Sequence, residues 1–261
     1  MINQQSHQQG FTLIELAIVL VIVGVLIGGF IGTFGARIDS TRIAETREEL
    51  EDIKKALVGY ALNPDPIRGG VGPYLPCPDC RNPFGCVGTA NDGIEDINGT
   101  TCSVGVGGVG NLPWVTLGLG RGDAWNTRYT YWVDPAYADH ANPFVFASPV
   151  TAMTVMTRDA ADNEVSLATN ITAVVVSHGK NRLGGISTDS SLNETIAAHE
   201  ASVGDSHVDE TNNTNSNDSE FISRTSSLEG TTTAGGPFDD LIIWLTDYEL
   251  KAEMLNAGML P

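Results

Sequence analysis

From Phe11 to Phe34 the chain carries one ionisable side chain, Glu15, and the apolar run continues to about Ala36. That length matches the roughly 20 apolar residues a helix needs to cross a bilayer. A lone carboxylate near one end of such a run is costly in lipid and marks a functional position that has a partner. No Lys, Arg or His lies in the run, so the partner comes from outside it. Beyond Ala36 the pattern changes. Leu50, Ile53, Leu57 and Tyr60 recur at three- and four-residue spacing, while Glu45, Glu48, Glu49, Asp52, Lys54 and Lys55 occupy the other positions. Such spacing puts the apolar set on one helix face, which needs a sheet or another helix to cover it. Asn63-Pro64-Asp65-Pro66 ends the helix, because proline cannot continue it. The prediction is one long helix, apolar over 11–36 and amphipathic over 37–62. Gly24, Gly28, Gly29, Gly32 and Gly35 either permit close helix contacts or are the ordinary glycines of a membrane helix.

The remainder reads as strands and turns. Residues 63–122 are turn-rich. Residues 128–134, Arg-Tyr-Thr-Tyr-Trp-Val-Asp, alternate and favour a strand. Met153–Arg158 predicts a second strand, and Ala173–Gly179 a short buried one ended by a turn. Residues 187–236 are dominated by Ser, Thr, Asn, Asp and Glu. With so few large apolar residues the segment buries too little surface to offset its ordering entropy. It is expected to be a mobile insertion with a short helix near Leu192–Glu200; the alternative is a partner- or calcium-binding loop ordered by contact. Phe238–Leu245 predicts a last strand, followed by a helix from about Thr246 to Asn256 and a stop at Gly258. The fold class expected is α+β, a long N-terminal helix packed on a small antiparallel sheet.

Composition narrows the function. The 261 residues carry a formal net charge of −18, which argues against a nucleic-acid partner. No repeat of solenoid or propeller period is present. The four cysteines, Cys77, Cys80, Cys86 and Cys102, cluster in one region and read as disulfides of an exported domain. Of the three pairings, Cys80–Cys86 inside Cys77–Cys102 is favoured, because nested loops need no crossing. The Cys77-Pro78-Asp79-Cys80 spacing also fits a redox pair, but no helix follows to lower a thiol pKa. A four-cysteine zinc site would lack a close second pair.

Other candidate chemistry is weaker. Asp92, Glu95 and Asp96 offer hard oxygen ligands for calcium, yet the twelve-residue calcium-loop pattern is missing and a solvated acidic turn is the default. The glycines of 105–110 are followed by no Lys-Ser/Thr, so they do not make a phosphate loop. Ser177 beside His178 is not a nucleophile elbow, and His140 has no partner that sequence can join to it. No catalytic constellation emerges, and the chain reads as a non-enzyme.

Gly10-Phe11-Thr12-Leu13-Ile14-Glu15 followed by an apolar helix resembles the prepilin leader of type IV pilins and of the pseudopilins of type II secretion. The resemblance implies that a prepilin peptidase cuts between Gly10 and Phe11 and N-methylates Phe11. It implies that Glu15 pairs with the N-terminal amine of a neighbouring subunit during filament assembly. It also implies a pilin-like fold, an inner-membrane anchor and a domain in the periplasm or on an extracellular filament. Some pseudopilins hold calcium in a loop, which would favour the Asp92–Asp96 cluster. The leader, residues 1–10, holds no Lys or Arg, unlike a secretory signal peptide and unlike the usual prepilin leader. A second likeness covers Leu75-Pro76-Cys77-Pro78, Leu112-Pro113-Trp114 with Leu117-Gly118, and Asp123-Ala124-Trp125. These resemble a prepilin-type subgroup in which Gly follows the Trp; here Asn126 stands instead, which puts that turn in question.

The expected organisation is a leader (1–10), a membrane helix (11–36), its amphipathic continuation (37–62), a globular domain with a cysteine-rich loop (63–186), the insertion (187–236) and a closing strand and helix (237–261). The role expected is a minor pilin or pseudopilin, a structural subunit whose partners are the peptidase, other subunits and the inner membrane. A tip or adhesive subunit using 187–236 is the variant within that class. The alternative from another class is a membrane-anchored periplasmic binding protein that enters no filament.

Overall fold

In the computed structural model the described residues are 12–63, 72–81, 86–103, 108–149, 152–214 and 220–260, with the side chains of 29–34 set aside. Contacts divide the chain into two units, residues 1–42 and 43–261. A single helix, α1 (Leu13–Leu62), supplies the described part of the first unit and the opening of the second.

In the first unit Leu13, Leu16, Val19, Val23 and Ile27 are exposed, and so are Ile14, Ile18, Val21 and Val25 between them. These positions go round the whole helix, and a helix that is apolar all round requires an apolar environment. Among the described residues, no helix is long and apolar enough to cross a membrane. The described side chains of this stretch stop at Gly28. Gly24 and Gly28 have no described atom within 4 Å of where a side chain would begin, so no described part of the chain uses their small size.

In the second unit three members of the predicted stripe are buried with Ala61, while the fourth, Tyr60, is half-buried. Leu50, Ile53, Leu57 and Ala61 are buried against Tyr129, Tyr131, Val133, Ala173, Val175 and Leu245. Tyr129 directly precedes, and the others belong to, an antiparallel sheet of β3 (Val109–Asn111), β4 (Thr130–Val133), β7 (Ile171–Ser177) and β9 (Leu241–Thr246), in the order β3-β4-β7-β9. Two short strands, β1 (Ile97–Asn98) and β2 (Thr101–Cys102), pair in the cysteine region. A one-turn helix, α2 (Trp114–Leu117), follows β3. The closing helix, α5 (Asp247–Asn256), starts at a reciprocal cap between Thr246 and Glu249.

The sheet is covered on both faces. Trp132, Val174 and Val176 point away from α1 and join Met153, Val155 and Phe221 in a second core cluster. That cover includes a second sheet of β6 (Glu164–Ala168), β5 (Thr154–Arg158) and β8 (Glu220–Ile222), in the order β6-β5-β8. Burial on two sides explains why all seven residues of β7 are buried and why Ala173–Val176 reads as an apolar run rather than alternating. Met153–Arg158, expected in the main sheet, instead sits in this second layer.

The expectation of a mobile insertion over 187–236 is corrected for its described residues, 187–214 and 220–236. The segment holds α3 (Ile196–Val203), α4 (Val208–Thr214) and β8. Its polar side chains are ordered by one another. Asp209, fully buried, takes Arg158 Nη2 at 2.6 Å and Arg224 Nε. The Asn213 amide acts as a strand neighbour to Ile222, accepting from its N–H at 2.8 Å and donating to its carbonyl at 3.1 Å. Composition counts apolar surface; it does not register polar groups that satisfy each other when buried.

Candidate functional site

The N-terminal motif enters the structure at Thr12. Its hydroxyl accepts from the Glu15 N–H at 3.3 Å, and Glu15 Oε2 accepts from the Thr12 N–H and Oγ, both at 2.8 Å. Thr12 is thus the N-cap of α1, and Glu15, three residues on, closes a reciprocal capping box. Its carboxylate is exposed at the helix N-terminus, where the partial positive charge of the unpaired N–H groups favours an anion. Gly10 and Phe11, the expected processing positions, lie outside the described residues.

The cysteine region joins the far end of α1. Cys77 pairs with Cys102 and Cys80 with Cys86, the nested arrangement. Glu95 and Asp96, two of the calcium candidates, are buried and serve this loop. Glu95 accepts from the Tyr60 hydroxyl at 2.8 Å and from the Cys77 N–H at 3.1 Å. Asp96 accepts from the Cys80 N–H at 2.8 Å. Asp92 accepts from the Ile94 N–H at 2.8 Å, a local turn bond. The structure therefore brings Glu95 and Asp96 to the two cysteine backbones while Asp92 faces its own turn.

Two of the three short motifs around Trp and Cys meet at Gly93, and the third forms its own turn at Asp123. Asp79 is fully buried and accepts from the Asn91 and Gly93 N–H groups at 3.0 and 3.2 Å. Burial pushes its carboxyl up to about 7, against the pull of those bonds. Gly93 lies under Trp114 with φ +82°, where an added Cβ would stand 2.2 Å from the indole ring. Arg128 stacks over that indole at 4.4 Å and donates to the carbonyls of Asn91, Ser187 and Thr188. Asp123 accepts from the Trp125 and Thr127 N–H groups and from Ser177 Oγ at 2.6 Å. Between them Asn126 adopts φ +60°, the left-handed conformation that glycine would supply. Asn is the non-glycine residue that tolerates it, so the turn survives the replacement.

The histidines divide into two kinds. His178 is fully buried beside Thr130 Oγ1; burial and then the nearby Arg81 push it down to about 3, so it stays neutral. His140 Nε2 lies 3.5 Å from Glu95 and its ring stacks on Tyr74. Cys77, near both, is held in its disulfide and offers no thiolate. His199 and His207 form a separate group with Glu229. The sequence reading missed that group, Tyr60–Glu95 and Arg128. Each depends on contacts between distant parts of the chain, and no local pattern announces them.

Residues 5–31 match the family model described as the prokaryotic N-terminal methylation motif. No curated protein and no solved structure matches the chain.

Proposed function

We propose that this chain, which carries the prokaryotic N-terminal methylation motif, is a minor subunit of a type IV pilin or pseudopilin filament. The observation that carries the reading is the matched stretch, residues 5–31, with Glu15 as the one ionisable side chain between Phe11 and Phe34. Cleavage before Phe11 would create a free amine two positions before Leu13, where the helix starts. Cation and carboxylate attract strongly in a medium of low dielectric, and each alone is expensive there. Glu15 is bound only to Thr12 among the described residues, which leaves it accessible to a neighbour's amine. The all-round apolar surface of Leu13–Ile27 suits lipid before assembly and other subunit helices after it. The second sheet and the polar segment over 187–236 enlarge the globular unit, which favours a minor position over a repeating one.

Mass spectrometry of the mature N-terminus from membranes tests the reading. The expected species begins at N-methylated Phe11. A chain that retains Met1 and the whole leader overturns it in favour of a plain membrane-anchored periplasmic protein.

A further inference from the structure

His199 lies on α3, and His207 caps the N-terminus of α4. Their rings meet edge to face with centroids 5.2 Å apart. Each ring has one nitrogen on a carboxylate: His199 Nδ1 on Glu194 Oε2 at 3.2 Å, and His207 Nδ1 on Glu210 Oε2 at 2.8 Å. Glu210 is itself held by the Asn181 amide at 2.9 and 3.0 Å and by the Asp239 N–H at 3.0 Å. A carboxylate at Nδ1 keeps the proton there and leaves Nε2 with a free lone pair. Both Nε2 atoms are buried without a hydrogen-bond partner among the described residues, and His207 has no solvent exposure at all. The nearest polar atom to each is Glu229 Oε2, 3.8 Å from His199 and 3.4 Å from His207. Two lone pairs and a carboxylate oxygen thus converge with all three atoms within 4.8 Å of one another. Three acceptors facing one another repel unless a cation stands between them.

We infer that His199, His207 and Glu229 bind a divalent transition metal, with Zn²⁺ as the ion their chemistry suits. Zinc takes imidazole nitrogen and carboxylate oxygen at about 2.0–2.2 Å in a tetrahedron, whose edges are then about 3.4 Å. The observed 3.4 and 3.8 Å spacings are already near that edge. The carboxylates on the two Nδ1 atoms are the outer partners that metal-bound histidines use. All four cysteines are tied up in disulfides, so no thiolate competes for the ion. Three protein ligands leave a fourth position for water or a ligand from another chain.

The site joins three separate pieces of one weakly apolar segment: α3, the start of α4 and the turn around Glu229. That turn is held on its other side by the Gly230 N–H donating to Asp205. Because a metal binds the folded ligand set and not the open chain, its binding energy becomes folding energy for this segment.

The test uses the full chain in detergent, stripped with EDTA and titrated with Zn²⁺ against a chromophoric chelator. One equivalent should bind, and zinc should slow proteolytic cleavage within 187–236 at least about tenfold. Glu229→Gln alters a half-exposed side chain and so leaves the fold in place; it should weaken binding at least about 100-fold, and Glu194→Gln about 10- to 100-fold. Zinc affinity unchanged in both variants overturns the site. So does a wild-type chain that takes up no stoichiometric zinc. Neither result depends on whether the leader is cut, so this inference and the filament reading fail separately.

Discussion

The hydroxyl of Tyr60, in the last turn of α1, donates to Glu95 at 2.8 Å, and Glu95 in turn accepts from the Cys77 N–H at 3.1 Å. The end of the long helix is therefore tied through one carboxylate to the backbone of the outer disulfide. Burial and the adjacent Glu95 push the Tyr60 phenol well above its ordinary range, so it remains a donor at any physiological pH. Tyr60→Phe removes one charge-assisted bond while keeping the ring against Tyr74. The expected cost is about 2 kcal/mol. It should appear as a lower urea midpoint with an unchanged slope; an unaltered midpoint would show that the link is idle.

Asn126 offers a cleaner backbone test. At φ +60° a β-branched side chain is strained, so Asn126→Val should cost about 1–2 kcal/mol. Asn126→Gly should change stability by only a few tenths of that, since glycine takes the same conformation without strain. Thermal melts of the two variants decide it. Equal losses in both would mean that the Asn side chain, and not the backbone angle, holds the turn between Asp123 and Thr127.

The periodic parts of the chain were legible because burial on one face leaves a repeating trace. Leu50, Ile53 and Leu57 announced the helix face, and Tyr131 and Val133 the strand that meets it. The short apolar run before Gly179 announced β7. What was not legible was the second layer. Met153–Arg158 was legible as a strand, but its partner Phe221-Ile222 is a two-residue apolar pair in a polar segment, and it counts only when β5 and β8 pair in parallel across a long separation. The order of 187–236 was hidden for a related reason. Asp209, Glu210 and Asn213 look like solvated residues, and only the folded chain supplies the Arg158, Asn181 and Ile222 groups that satisfy them. Glu95 and Asp96 illustrate the same limit: the default expectation was a solvated acidic turn, whereas both are buried and each carboxylate accepts from a cysteine N–H.

Asp79 gives the pH dependence a sign. Its carboxyl is raised from 3.8 to about 7 in the folded chain. Between about pH 4 and 7 the folded state therefore holds a proton that the unfolded state has released, and stability falls as pH rises through that window. Denaturant midpoints at pH 5 and pH 7 should differ in that direction. Asp79→Asn carries no titrating group and should reduce the dependence, leaving the share of Asp239, which burial also raises to about 7. If the variant keeps the wild-type difference, the window belongs to another carboxylate.

Glu15 has one observed role and one proposed role, which a single substitution would confound. It closes the capping box with Thr12, and the proposed assembly step needs its charge. Glu15→Ala removes both. Glu15→Gln keeps an acceptor at the third helical position, which suffices for a capping box, but removes the charge. If charge pairing with a neighbour's N-terminal amine drives assembly, both variants should insert into the membrane normally and both should be lost from sheared filament fractions. If the carboxylate only caps the helix, Glu15→Gln should assemble like the wild type and only Glu15→Ala should fail. Quantifying each variant in membrane and filament fractions by immunoblot separates the two. Capping requires an oxygen acceptor, whereas pairing requires an anion that no other side chain between Phe11 and Phe34 supplies.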